Sequence, residues 1–121
     1  MRAILIIILF PTLLISQEKK EIFTMFYNVE NFFDTIDDVM KNDNEFLPDS
    51  KKKWDTKKYN KKISQLTRVL SSINSGNQPN IIGLCEVENK LVIDDLLKES
   101  FFINNTYTII HNNGPDERGI D

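Results

Sequence analysis

Phe26-Tyr27-Asn28-Val29-Glu30-Asn31 and Ile81-Ile82-Gly83-Leu84-Cys85-Glu86-Val87-Glu88-Asn89 are two apolar runs that each end in an acid or an amide. Runs of this length, rich in β-branched and aromatic residues, read as buried strands. A carboxylate or carboxamide at the end of such a strand is poorly placed for packing and well placed to line a cleft. If the two strands lie side by side, Asn28 and Glu86 meet near one point, an arrangement suited to a divalent cation.

Working outward from these segments, residues 22–29 form the first predicted strand, apolar on both faces and therefore expected in the interior of a sheet. Asn31 to Ser50 then turns acidic, with Asp34, Asp37, Asp38, Asp43, Glu45 and Asp49. It reads as a long solvated loop with a helical turn around Thr35–Met40. The Asp-x-Asp-x-Asp-Gly pattern of a calcium loop is absent.

Tyr59, Ile63, Leu66, Leu70 and Ile73 recur at steps of four and three, which predicts a helix from about Asp55 to Asn74. Asp55 or Thr56 would cap its start and Gly76 would end it. Its other face carries Lys57, Lys58, Lys61, Lys62 and Arg68, after Lys51-Lys52-Lys53. Lysines crowded at a helix N-terminus oppose the macrodipole. They serve either solubility or an anionic partner.

Asn77-Gln78-Pro79-Asn80 is a turn into the second strand, Ile81–Cys85. A short helix follows from about Asn89 to Lys98, with Leu91, Val92, Leu96 and Leu97 available for burial. Thr106–His111 alternates as a third strand, with Tyr107, Ile109 and His111 on one face, and Asn112-Asn113-Gly114-Pro115 is a turn. Arg118-Gly119-Ile120-Asp121 opens a fourth strand. There is no internal repeat.

At the other end, Arg2, the apolar run Ala3–Ile15, Ser16 and the polar Gln17-Glu18-Lys19-Lys20 describe a secretory signal peptide. The apolar run is shorter than the ~20 residues a membrane span needs, so no transmembrane anchor is expected; an uncleaved anchor is the competing reading. Domain organisation is then residues 1–16 as signal peptide and 17–121 as one small domain. Export, to a periplasm or the medium, is the expected localisation. The chain has 15 basic and 18 acidic side chains and a formal charge of −3, which becomes −4 once Arg2 is removed. That total neither points to a polyanion partner nor excludes one, because a local basic face matters more than the sum. Cys85 is the single cysteine, so no intrachain disulfide forms, and within an apolar run its thiol reads as a small hydrophobe.

A hard cation such as Mg²⁺ takes oxygen ligands, keeps several waters, and needs only one or two carboxylates. Glu86 offers one on a rigid support, and the Asn28 amide can orient a phosphate oxygen or a metal-bound water. On spacing alone Glu88 competes with Glu86.

Tyr27-Asn28-Val29-Glu30-Asn31-Phe32-Phe33-Asp34, Ile82-Gly83-Leu84-Cys85-Glu86-Val87-Glu88-Asn89 and Asp116-Glu117-Arg118-Gly119-Ile120-Asp121 together resemble the endonuclease/exonuclease/phosphatase family, most closely its exported bacterial members. Trp54 and the lysine-rich helix after it fit the same pattern. The resemblance spans residues 22–121. It implies an α/β fold, a four-layered sandwich of two packed mixed β-sheets flanked by helices. It also implies Mg²⁺-dependent hydrolysis of a phosphoester by an activated water, with Mn²⁺ as an alternative metal. By position, Glu86 resembles the family's metal-binding glutamate and Asn28 its first-motif asparagine beside the scissile phosphate, the two catalytic candidates. Arg118 is a substrate-binding candidate facing the phosphate, or else it pairs with a nearby acid.

His111, the one histidine, does not match the position of the family's catalytic histidine and is read as exposed or structural. The family's later motifs have no counterpart before Asp121. The expectation is therefore that these residues are the N-terminal part of a nuclease-like phosphodiesterase, inactive and poorly folded alone. A non-catalytic binding module is the competing class. Nucleic acid is the expected substrate, read by the lysines of Lys51–Lys62; a lipid or inositol phosphate is the alternative.

Overall fold

Two parallel strands and two helices carry the structure, a computed structural model that describes residues 19–104 and 106–121. The segment read as a signal peptide lies outside the described residues. Strand β1 spans Thr24–Phe32 and strand β2 spans Ile81–Val87, in register from Thr24 opposite Ile81 to Asn28 opposite Cys85. Both strands run further than their apolar cores suggest, so Glu30, Asn31 and Glu86 belong to strands rather than to loops.

Helix α1, Thr56–Ser72, connects the two strands. The Asp55 side chain accepts from the Lys58 N–H at 2.9 Å, meeting one of the orphan donors of the first turn. The helix stops where Asn74, Ser75 and Gly76 take positive φ (51°, 55° and 83°). Tyr59, Ile63, Leu66 and Leu70 are buried as the spacing requires, against Met25, Val29 and Phe32 of β1 and Val87 of β2. Helix α2, Lys90–Leu97, adds Val92 and Leu96 to the same core, while Leu91 is exposed. None of the helices among the described residues is long and apolar enough to cross a membrane.

Three expectations are corrected. First, β1 is covered on one face only: Met25 and Val29 are buried but Phe26 is 73% exposed, its ring lying over Gly83. Both helices contribute to one core, and no described element covers Phe26. Second, the acidic loop is not simply solvated, and its helical turn falls at Asn44–Phe46 rather than Thr35–Met40. Asp34 and Asp43 are buried because backbone N–H groups claim them: Ile36 donates to Asp34 at 2.6 Å and Asp38 to Asp43 at 3.0 Å. Third, residues 106–111 form no sheet ladder among the described residues. The alternation of burial is nonetheless as read, with Tyr107, Ile109 and His111 less exposed than their neighbours.

The opening of the fourth strand appears as a single pair. Asp121 and Val87 exchange two backbone hydrogen bonds of 3.0 and 2.9 Å, the pattern of an antiparallel neighbour. They lie on the edge of β2 away from β1, because the next N–H, that of Glu88, donates to Phe32 O at 3.1 Å.

Candidate active site

The pairing of β1 with β2 breaks just where the polar residues begin. Asn28 faces Cys85, but the next paired residues are Phe32 and Val87, so β1 uses four steps where β2 uses two. The surplus bulges out at Val29–Asn31. Glu30 and Asn31 take φ of 54° and 55°, and Glu86 opposite takes 64°. Left-handed backbone at non-glycine residues costs on the order of 1–3 kcal/mol each and persists where neighbours over-determine it.

Here the neighbours do. Asn28 Nδ2 donates to Glu86 Oε1 at 2.8 Å, and the Asn31 N–H donates to Glu86 Oε2 at 3.0 Å. Asn28 Oδ1 in turn accepts the Glu30 N–H at 2.7 Å. Each carboxylate oxygen is gripped by one donor and retains acceptor capacity. The expected meeting of Asn28 and Glu86 is thus a direct hydrogen bond at the carboxyl ends of adjacent parallel strands, where open α/β sheets place their ligands.

The electrostatics keep Glu86 ionised. The hydrogen bond from Asn28 holds its carboxyl below the ordinary value, helped by the Asn31 N–H and the charges of Arg118 and Lys62, against a smaller effect of burial. Arg118 is exposed and forked onto Asp116 (Nε to Oδ1 3.1 Å, Nη2 to Oδ2 2.7 Å), so it does pair with an acid, while its charge still reaches Glu86. The turn that carries it is fixed to the acidic loop by the Asn42 N–H, which donates to Glu117 O at 2.8 Å.

Beside Glu86 opens a groove of about 770 Å³, lined by Glu30, Asn31 and Glu86 together with Lys52, Lys58, Lys61, Lys62 and Gln65. Trp54 and Phe46 also line it. Both faces of the Phe46 ring are taken, one by Phe33 (centroids 4.0 Å apart) and one by the Lys52 ammonium at 3.9 Å. The Trp54 indole N–H is spent on Phe33 O at 3.0 Å. The groove therefore offers positive charge, and the Phe46 ring is not free to stack on a ligand.

Glu88, the competitor of Glu86, points the other way. It is buried, accepts the Asp34 N–H at 2.6 Å, and joins a network in which Asn89 Nδ2 donates to Asp34 at 2.9 Å. Burial first, then the charges of Asp34, Asp43 and Asp38, push its carboxyl up to about 7. Asn89 also caps α2 by accepting the Val92 N–H at 3.1 Å, so this network braces the loop against the helix.

His111 is remote in kind from the Glu86 site. Its Nε2 lies 3.0 Å from Asp121 Oδ2, a close polar contact whose alignment does not meet hydrogen-bond geometry. It lines an apolar cleft of about 680 Å³ with Ile82, Leu84, Leu96, Phe102 and Tyr107, to which neither Asn28 nor Glu86 contributes.

The residues that sequence reasoning missed are Asn31, whose backbone N–H holds the carboxylate, and Lys62, whose Nζ donates to Glu30 O at 3.0 Å. Asparagine tolerates left-handed φ better than most residues, which is the one faint signal for Asn31. Lys62 looks like any other lysine on its face of α1.

A strand-end carboxylate clamped at the C-terminal edge of a parallel pair defines an α/β protein with a polar, anion-edged site. The chain belongs to the endonuclease/exonuclease/phosphatase family, whose model matches residues 23–121. Comparison with curated proteins and with solved structures found no match. The family suggests phosphoester hydrolysis. Among the described residues, no group of three or more His, Cys, Asp or Glu side chains is placed to hold a metal ion.

Proposed function

We propose that this protein is a divalent-metal-dependent phosphoester hydrolase, nuclease-like in cleaving a phosphodiester with an activated water. The observation that carries the reading is the Glu86 carboxylate, ionised and held at both oxygens by Asn28 and Asn31. This donor chemistry fits a hard cation, Mg²⁺ or Mn²⁺, bound through one carboxylate and its own waters. Bound there, the metal supplies Lewis-acid polarisation and a template for the phosphoryl oxygens.

The chain's own residues have distinct tasks. Glu86 is the metal ligand, and it needs no reorganisation because its two donors already fix it. Asn28 sets the carboxylate's direction through Nδ2, and at the exposed mouth of the site it is the group we assign beside the scissile phosphate. Arg118, steadied by Asp116, offers positive charge to phosphoryl oxygens on which negative charge develops. The general base is not assigned to His111, which lies with Asp121 at the apolar cleft.

The substrate we infer is nucleic acid, its backbone lying in the lysine groove that Glu86 helps to line. With both faces of Phe46 taken and four lysines lining the groove, the contacts we infer are chiefly to phosphates. We further infer that the α/β unit belongs to a four-layered sandwich, and that the protein is exported through its N-terminal apolar segment. Protein expressed from its complete reading frame should cleave DNA or RNA only with Mg²⁺ or Mn²⁺ present, and Glu86→Gln should abolish the cleavage. Cleavage that survives in chelator, or in Glu86→Gln, refutes the proposal.

A further inference from the structure

One peptide group bridges a cation and the site carboxylate. Its carbonyl end, Glu30 O, accepts from Lys62 Nζ at 3.0 Å; its amide end, the Asn31 N–H, donates to Glu86 Oε2 at 3.0 Å. In a trans peptide the C=O and N–H point in opposite directions, so both bonds are satisfied by a single orientation of the plane. Both flanking residues have left-handed φ, a conformation that needs outside support. The carbonyl end has Lys62 to hold it, and the amide end has Glu86.

We propose that Lys62 is a positioning residue for the Glu86 site: by holding Glu30 O it fixes the Glu30–Asn31 peptide with its N–H aimed at Glu86. This rests on reading Glu86 as the functional carboxylate. The Lys62 ammonium is suited to the task. It is partly withdrawn from water, which lowers its pKa, while the charges of Glu30 and Glu86 oppose that effect. Hydrogen bonds in series polarise one another, so the Lys62 charge also strengthens the Asn31 bond to Glu86. Lys58, one turn earlier on α1, makes a parallel contact by donating to Lys52 O. Two lysines of the face read as solvated or polyanion-binding thus tie α1 to backbone carbonyls. Only Lys62 reaches the peptide that contacts Glu86.

Amide hydrogen exchange on the whole chain tests this without metal or substrate, so its outcome is independent of whether the phosphoester reading holds. In Lys62→Met the Asn31 amide should exchange at least ~10-fold faster, the effect of losing a bond worth about 1.4 kcal/mol. The Glu88 amide, bonded to Phe32 O, and the amides of α1 should keep their rates. Lys62→Arg should restore Asn31 protection, and Lys57→Met, on an exposed part of α1, should leave it alone. Unchanged Asn31 exchange in Lys62→Met overturns the proposal, as does a uniform loss that includes Glu88, which marks general packing. Should Lys62→Met fail to fold, the wild-type ammonium protons decide: those of Lys62 must exchange more slowly than those of Lys57, and equal rates overturn it.

Discussion

Replacing Glu88 by glutamine should make the protein more stable at pH 8 and remove much of its pH dependence. The folded protein holds the Glu88 carboxyl at about 7 against an ordinary 4.5, chiefly by burial and then by the charges of Asp34, Asp43 and Asp38. A raised acid binds its proton more tightly when folded. Between the two values the folded state therefore carries more protons than the unfolded one, and stability falls as pH rises. At 1.36 kcal/mol per unit, the shift costs on the order of 3 kcal/mol once pH exceeds 7, and about 2 kcal/mol of that appears between pH 5.5 and 8. Glutamine keeps an oxygen for the Asp34 N–H and carries no charge to desolvate. Urea unfolding at 25 °C, followed by circular dichroism across this range, should show the wild type losing that amount relative to Glu88→Gln. Parallel profiles, or a variant less stable than wild type at pH 8, would refute the reasoning.

Leu70, 1% exposed between α1 and the sheet, should cost about 2–5 kcal/mol when cut to alanine, read as a drop in the urea midpoint with unchanged slope. Trp54→Phe takes the donor from Phe33 O and should cost about 1–3 kcal/mol if that carbonyl stays dry, measured the same way. Charge-removing changes at Lys52, Lys58 and Lys61 together should weaken oligonucleotide binding and flatten its salt dependence, read by fluorescence anisotropy over a salt series; an unaltered slope would remove the groove from the phosphate path.

Much of the site was legible because its signal is local. A strand that ends its apolar run in Asn28, and another that ends in Glu86, place those groups on one sheet edge once the strands pair in parallel. The α1 face was legible for the same reason, since a helical period is written in the spacing of Tyr59, Ile63, Leu66 and Leu70. The bulge was not, because it depends on the mismatch between two strands and neither one shows it alone. Burial of Asp34 and Asp43 was hidden by composition: an acidic loop looks solvated until backbone N–H groups are seen to claim its carboxylates. Residues 106–111 kept their alternation without a ladder, because alternation reports which face is covered and says nothing about a neighbour on the edge. Lys62 was invisible for a simpler reason. Its partner is a carbonyl, and carbonyls leave no mark in a sequence.

The central claim is that Glu86, clamped by Asn28 and Asn31, binds a divalent cation. Titrating Mn²⁺ into the isotope-labelled protein and following paramagnetic line broadening tests it most directly. Broadening should centre on Glu86, Asn28 and Asn31, be competed away by Mg²⁺ and be lost in Glu86→Gln. Broadening centred instead on the buried acids Asp34, Asp43 and Glu88, or persisting in Glu86→Gln, would contradict it.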